Sequence, residues 1–127
     1  MWFFGKREQG KRTDIDVQVM RLPNHFSIVG EAQTNRDGSD RQKIIAHCKA
    51  GQAVRLRREP KNPHDPNAVA VVTTKGGQIG YLSRADAASV VSLFDDGVKT
   101  SASIWKIVGG TKDKPSRGVL IDVEWDV

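Results

Sequence analysis

Residues 54–80 read VRLRREPKNPHDPNAVAVVTTKGGQIG, and this stretch decides the fold. From Ala53 to Arg58 the side chains alternate. Val54 and Leu56 fall on one side, Arg55 and Arg57 on the other, which is the period of a half-buried strand. Prolines at 60, 63 and 66 then interrupt any regular element, so Lys61 to Pro66 reads as a stiffened turn. Ala68 to Thr73 is strongly β-prone and mostly apolar, which suits a central strand. Lys75-Gly76-Gly77 is a tight connection, and it joins that strand to Gln78–Leu82 as a hairpin.

Outward from this core the pattern stays β-rich. Asp14 to Met20 alternates, with Ile15, Val17 and Val19 on one face. Phe26 to Val29 is a short strand that ends at Gly30, and Glu31 to Gly38 is a polar loop. Ser39 begins a helix, spaced from Gln42 as in a capping box. Ile44, Ile45 and Cys48 form its apolar face and Gly51 closes the segment. A second helix is capped by Ser83 and Asp86, buries a stripe of Ala87, Ala88, Val91 and Phe94, and ends at Gly97. Thr100–Val108 and Gly118–Trp125 are the last two strands, joined by the polar loop Gly109–Arg117. The sum is a mainly β chain of six or seven short strands with two short α-helices. No strand–helix–strand repeat appears, so an antiparallel barrel or curled sheet is expected. Residues 1–13 read as a flexible basic lead-in, and 14–127 as a single domain.

The chain has 127 residues, 28% of them charged and 38% hydrophobic, enough for one domain with a real core. Its net charge of +5 is unevenly spread. Residues 40–84 hold nine basic side chains against three acidic ones, while the charges on either side nearly cancel. A concentrated positive segment favours a polyanion such as nucleic acid. Cys48 is the only cysteine, which excludes an intramolecular disulfide and a zinc site built on paired cysteines. On an apolar helix face it reads as inert core. No stretch has the apolar length of a membrane span. Met1–Phe4 is apolar and leads into basic residues, the reverse of a signal peptide. A soluble, cytoplasmic protein is the expectation, with Trp2, Phe3 and Phe4 tucked into the domain or a partner.

Catalytic patterns are missing. Gly76-Gly77 and Gly109-Gly110 lack the Lys-Ser/Thr of a phosphate loop. His25, His47 and His64 lack ligand-pair spacing. Ser27, His64 and Asp65 can be written as a triad, but no nucleophile motif surrounds the serine. Neither an enzyme, a metal nor a cofactor is therefore expected. The informative residues are in the turn, where Asn62, His64, Asp65 and Asn67 set short polar groups on stiff backbone. Two readings stand at this point: a preorganised recognition element, or a structural turn in which Asp65 and Asn67 bond nearby amides.

The same residues carry a family resemblance. Leu56 with Arg58-Glu59-Pro60, then Asn62-Pro63-His64-Asp65-Pro66-Asn67-Ala68-Val69-Ala70-Val71, then Ile79-Gly80-Tyr81-Leu82 and the helix from Arg84 resemble the core of the HIRAN domain. Ile107-Val108-Gly109-Gly110 and Gly118-Val119 also fit, so the resemblance runs from about Phe26 to Trp125. It implies an OB-like β-barrel found in front of helicase-like repair and replication-fork proteins, and also alone in bacteria and phages. Members that act at forks grip the free 3′ end of single-stranded DNA. Carried over, Asp65 matches the aspartate that bonds the terminal hydroxyl, Asn62 and Asn67 belong to the turn, and Tyr81 stands near a phosphate. Arg84 matches a basic phosphate contact, and His64 replaces a tyrosine. Glu31-Ala32-Gln33-Thr34 departs from the family pattern, which has a basic residue and two tyrosines after the glycine. One wall of a base sandwich is thereby lost, and stacking is worth about 1–3 kcal/mol per base. Arg57 and Arg58 add phosphate contacts, with Arg36, Arg41 and Arg55 in support. The function expected is a nucleic-acid-binding module for single-stranded DNA or DNA 3′ ends in repair or replication. A helicase or other protein is a further partner, and no membrane is involved. The alternative is a protein-interaction or structural module of the same fold.

Overall fold

The computed structural model describes residues 25–126. Along the chain these form β1 (His25–Val29), α1 (Arg41–Ala46), β2 (Ala53–Arg58), β3 (Val69–Thr73) and β4 (Gln78–Leu82). Then come α2 (Arg84–Asp95), β5 (Lys99–Gly109) and β6 (Arg117–Asp126). The strand expected over Asp14–Met20, the lead-in 1–13 and the apolar start Met1–Phe4 lie outside the described residues.

The six strands close into an antiparallel barrel in the order β1-β4-β3-β2-β5-β6. Closure gives each described strand a neighbour on both sides, although the β2–β5 seam pairs only at Ala53 and Val54. The interior is mostly Val and Ile, including Ile79, Ile104, Ile121, Val69, Val71, Val119 and Val123, each nearly or wholly buried. Branching at Cβ stiffens these side chains and suits them to a pleated wall. Burying each one contributes about 1.5–3 kcal/mol relative to exposure. β3 is buried along its whole length. Val69 and Val71 belong to the core cluster, whereas Ala70 and Val72 alternate onto the outer face and are still buried there.

Both helices begin where the sequence places them, with two differences of detail. The cap of α1 is Asp40, not Ser39: its carboxylate accepts from the Gln42 amide at 2.8 Å and the Lys43 amide at 3.4 Å. Ser39 is drawn away, because its hydroxyl donates to Asp37 at 2.6 Å. Gln42, free of the capping role, clamps the start of β6. Its side chain donates to the Arg117 carbonyl at 2.9 Å and accepts from the Arg117 amide at 2.8 Å. In α2, Ser83 accepts from the Asp86 amide at 3.1 Å as expected. The buried stripe is rotated, however. Ala87 and Val90 are buried and Ala88 is exposed. Phe94, half-buried, meets Trp125 edge-on at 5.3 Å. Of the expected 87, 88, 91 and 94, only 88 drops out, Val91 being half-buried, and Val90 takes its place, which narrows the stripe on the helix. Cys48 is half-buried against the core, and burial pushes its thiol pKa up, disfavouring the reactive thiolate.

The β1–β4 seam closes the barrel through few pairs, Ile28↔Leu82 and Val29↔Tyr81. Gly80 lies beside that seam, and a Cβ there would stand 2.6 Å from the Val29 carbonyl oxygen. Backbone cannot yield as a flexible side chain can. Gly80→Ala is therefore expected to destabilise the domain by about 1–3 kcal/mol in urea unfolding. An unchanged midpoint would show that the seam does not govern stability.

Candidate nucleic-acid interface

Strand register assembles the site. Arg57 pairs with Ala70 across β2–β3, and Ala70 with Tyr81 across β3–β4, so the three residues form one row. Arg57 and Tyr81 flank Ala70, whose methyl is fully buried between them on the outer face. Glu59 is two residues beyond Arg57 and shares its side of the chain. Its carboxylate joins the row: one oxygen accepts from Arg57 at 2.9 Å, the other from the Tyr81 hydroxyl at 2.9 Å and the Asn62 amide group at 3.1 Å. Gln78 adds a second acceptor for Arg57 at 3.3 Å. Burial works against the Glu59 carboxylate. Hydrogen bonds from Arg57, Asn62 and Tyr81, together with the Arg57 charge, outweigh it and hold the pKa below its ordinary value.

The opposite wall comes from the loop between β1 and α1 and from Arg41, the first residue of α1. Arg41 is only 6% exposed, so its charge needs partners. Its Nε donates to Asn35 at 2.6 Å and one terminal nitrogen to the Gly30 carbonyl at 2.8 Å. The guanidinium carbon stands 5.5 Å from the centre of the Tyr81 ring, in cation–π range. Asn35 in turn donates to the Gln78 carbonyl at 2.9 Å, which pins the loop to β4. Gly30 has a φ of +75°, and a Cβ there would stand 3.1 Å from the Arg41 guanidinium.

Between these walls lies an open groove of about 690 Å³, lined by Arg36, Arg41, Arg57 and Lys61, with Glu59 as the one carboxylate. Thr34, Asn62, Gln78 and Tyr81 supply uncharged polar groups. Four cations facing one anion, itself hydrogen-bonded three times, make a positive surface matched to phosphates.

The proline-rich turn stands beside the groove and is largely internally bonded. Asn62 Oδ1 accepts from the His64 and Asp65 amides at 2.9 and 3.2 Å, and Asp65 Oδ1 accepts from the Asn67 amide at 2.9 Å. Arg58 and Arg84 buttress it: Arg58 donates to the Pro66 carbonyl and, at 3.2 Å, to Asp95, and Arg84 donates to the His64 carbonyl at 2.9 Å. Of the residues singled out from the sequence, the groove gathers Arg36, Arg41, Arg57, Asn62 and Tyr81, and Arg55 is not in its lining. His64, Asp65, Asn67, Arg58 and Arg84 do not line it. Sequence reasoning assigned no role to Glu59, Lys61, Gln78 or Thr34. A signal for Glu59 was present: it is one of three acidic residues among 40–84 and shares a strand face with Arg57. Among the described residues no cluster of His, Cys, Asp or Glu could hold a metal, and no helix is long and apolar enough to cross a membrane.

The family model of the HIRAN domain matches residues 27–115, from β1 past β5, including every groove-lining residue. The chain belongs to the HIRAN domain family. Over 45 residues this HIRAN chain is 42% identical to the helicase-like transcription factors of Mus musculus and Oryctolagus cuniculus. That stretch is 35% of the chain and only 4% of those much longer relatives. Two crystal structures share the barrel. One is of a Lactobacillus plantarum protein, with a TM-score of 0.61 at 24% identity, covering 80% of this chain and 93% of that one. The other is the HIRAN domain of human HLTF, with a TM-score of 0.58 at 20% identity, covering 80% and 73%.

The depressed Glu59 pKa carries a pH signature. Its contribution to stability is complete above the unfolded-state value, about 4.3 for a glutamate, and is lost as pH falls through the lower folded value. In thermal melts Glu59→Gln should be less stable than the parent at pH 7, and the gap should close on acidification below about pH 4.3. A gap independent of pH would mean that the Glu59 charge does not hold the row together.

Proposed function

We propose that this HIRAN domain is a nucleic-acid-binding module that takes single-stranded DNA along the groove beside its proline-rich turn. The observation that carries the reading is the convergence of Arg36, Arg41, Arg57 and Lys61 on one open groove with Tyr81 in its wall. Family membership supports the same direction. Exposed Arg36, Arg57 and Lys61 contact phosphates. Arg41, fixed by Asn35 and Gly30, sets the orientation of the Tyr81 ring. The turn completes the site by the family resemblance: Asp65 and Asn62 are offered to a 3′-terminal sugar, His64 to a base, and Arg84 and Arg58 to nearby phosphates, with Asn67 bracing the turn. Asp65 keeps its second carboxylate oxygen for such a contact, since the Asn67 amide engages Oδ1. The module performs no chemistry of its own. A role in repair or replication is what the family resemblance implies, and the partial likeness to helicase-like transcription factors supports a place beside a helicase.

A second reading, a protein-docking module, is favoured by a different observation. Val29, Trp105 and Val108 are exposed at 43%, 46% and 37%, on β1 and β5, the strands that flank β6. Trp105 stacks on His25 at 4.2 Å. A partner captured on this side would survive nuclease treatment, and DNA binding would be absent.

The direct test is an anisotropy titration of a labelled single strand at several salt concentrations. Three or four phosphate contacts at about 0.7 each give a log–log salt slope of roughly −2 to −3. Arg57→Ala should weaken binding about threefold to tenfold and reduce that slope by about 0.7. Absence of salt-sensitive binding at micromolar protein would overturn the proposal.

A further inference from the structure

The groove and the turn are two subsites with different demands on the ligand. The groove is bounded by Arg36, Arg57 and Lys61, all exposed, around a single acid that is already engaged by three donors. Nothing in that arrangement selects a chain terminus, because a phosphodiester within a strand presents the same charged oxygens as one near its end. Asp65 is different. A carboxylate is unfavourable beside an internal phosphate and favourable only beside a donor such as a terminal hydroxyl. It stands outside the groove lining, although its near neighbours Asn62 and Pro63 belong to it. The part of the turn that carries it is closed by its own internal bonds, while Lys61 and Asn62 at the start of the turn line the groove. Glu31-Ala32-Gln33-Thr34, in the adjoining loop, supplies no aromatic wall against which a terminal base could be sandwiched.

From this we infer that the groove is an end-independent phosphate track which supplies most of the affinity, with the turn as an accessory to it. The inference rests on the DNA-binding reading and narrows it: the ligand is the sugar–phosphate backbone of a single strand, with or without a free end. Arg36, Arg57 and Lys61 act as point charges along that backbone. Tyr81, held by Glu59 and faced by Arg41, offers a ring whose stacking tolerates any base.

The test compares a covalently closed single-stranded DNA circle with a linear strand of the same sequence bearing a free 3′ hydroxyl. The expected result is that circle and linear strand bind within about threefold of each other. Both should lose roughly twentyfold in affinity between 50 and 200 mM salt, as three phosphate contacts require. The double variant Arg57→Ala/Lys61→Gln should weaken both ligands to the same degree. Lys61→Gln alone, at an exposed position, provides the weaker second case should the double variant fold poorly. A linear strand that binds while the circle binds more than about thirtyfold more weakly would overturn the track and leave the DNA-binding reading standing. Equal affinities that are insensitive to both variants would also overturn it. Failure of both ligands to bind would overturn the track and the DNA-binding reading together.

Discussion

The Glu59 carboxylate is the constraint on which the site depends. It sits two residues past the last arginine that faces the groove and ties together three side chains from three parts of the chain. Arg57 comes from β2, Asn62 from the turn and Tyr81 from β4. A carboxylate accepts several hydrogen bonds and neutralises one positive charge, which lets Arg57, Arg41 and Lys61 crowd round one opening. Ala70 makes the bridge sterically available. Its methyl is small enough for Arg57 and Tyr81 to meet a common partner above it, and a larger residue in that row would part them.

Arg41 plays the matching part on the other wall. A residue-level exposure of 6% makes an arginine costly without partners, and here Asn35 and the Gly30 carbonyl each take one of its N–H donors. The Gln33 amide donates to the Gly30 carbonyl at 3.1 Å and turns the chain as it leaves β1, Arg41 caps the same carbonyl, and Asn35 fastens the loop to β4. The loop is thus ordered by polar contacts where it lacks an apolar anchor of its own. A buried arginine in cation–π contact with a tyrosine also restrains the ring, so less rotamer freedom is lost when a ligand engages it. The barrel supplies the frame for both walls: closure of β1 on β4 brings the Gly30 loop next to Tyr81.

Much of the fold was legible because short-range patterns decide it. The alternation at Val54–Arg57, the glycines after Lys75 and the long alternating run from Val119 to Trp125 each fix an element by local chemistry. What escaped depended on choices between near-equal neighbours or on distant partners. Ser39 and Asp40 are both good caps, and Asp37 decided between them by taking the Ser39 hydroxyl. The α2 stripe was off because Ala88 can be exposed at little cost. Of the site, Arg36, Arg41, Arg57, Asn62 and Tyr81 could be named from the sequence as residue types. Their meeting point could not, since it requires the β2–β3–β4 register. Arg58 and Arg57 are adjacent and chemically alike. Only the strand's alternation, carried to the end of β2, turns one towards the groove and the other towards Pro66 and Asp95.

Amide chemical-shift mapping of the labelled domain during titration with a short single-stranded DNA tests the central claim most directly. Salt-dependent shifts are expected to concentrate at Arg41, Arg57, Glu59, Lys61 and Tyr81, with weaker effects through the turn at His64 and Asp65. Shifts confined to β1 and β5 around Trp105, or none at all at saturating DNA, would contradict the assignment of the groove as the strand's binding surface.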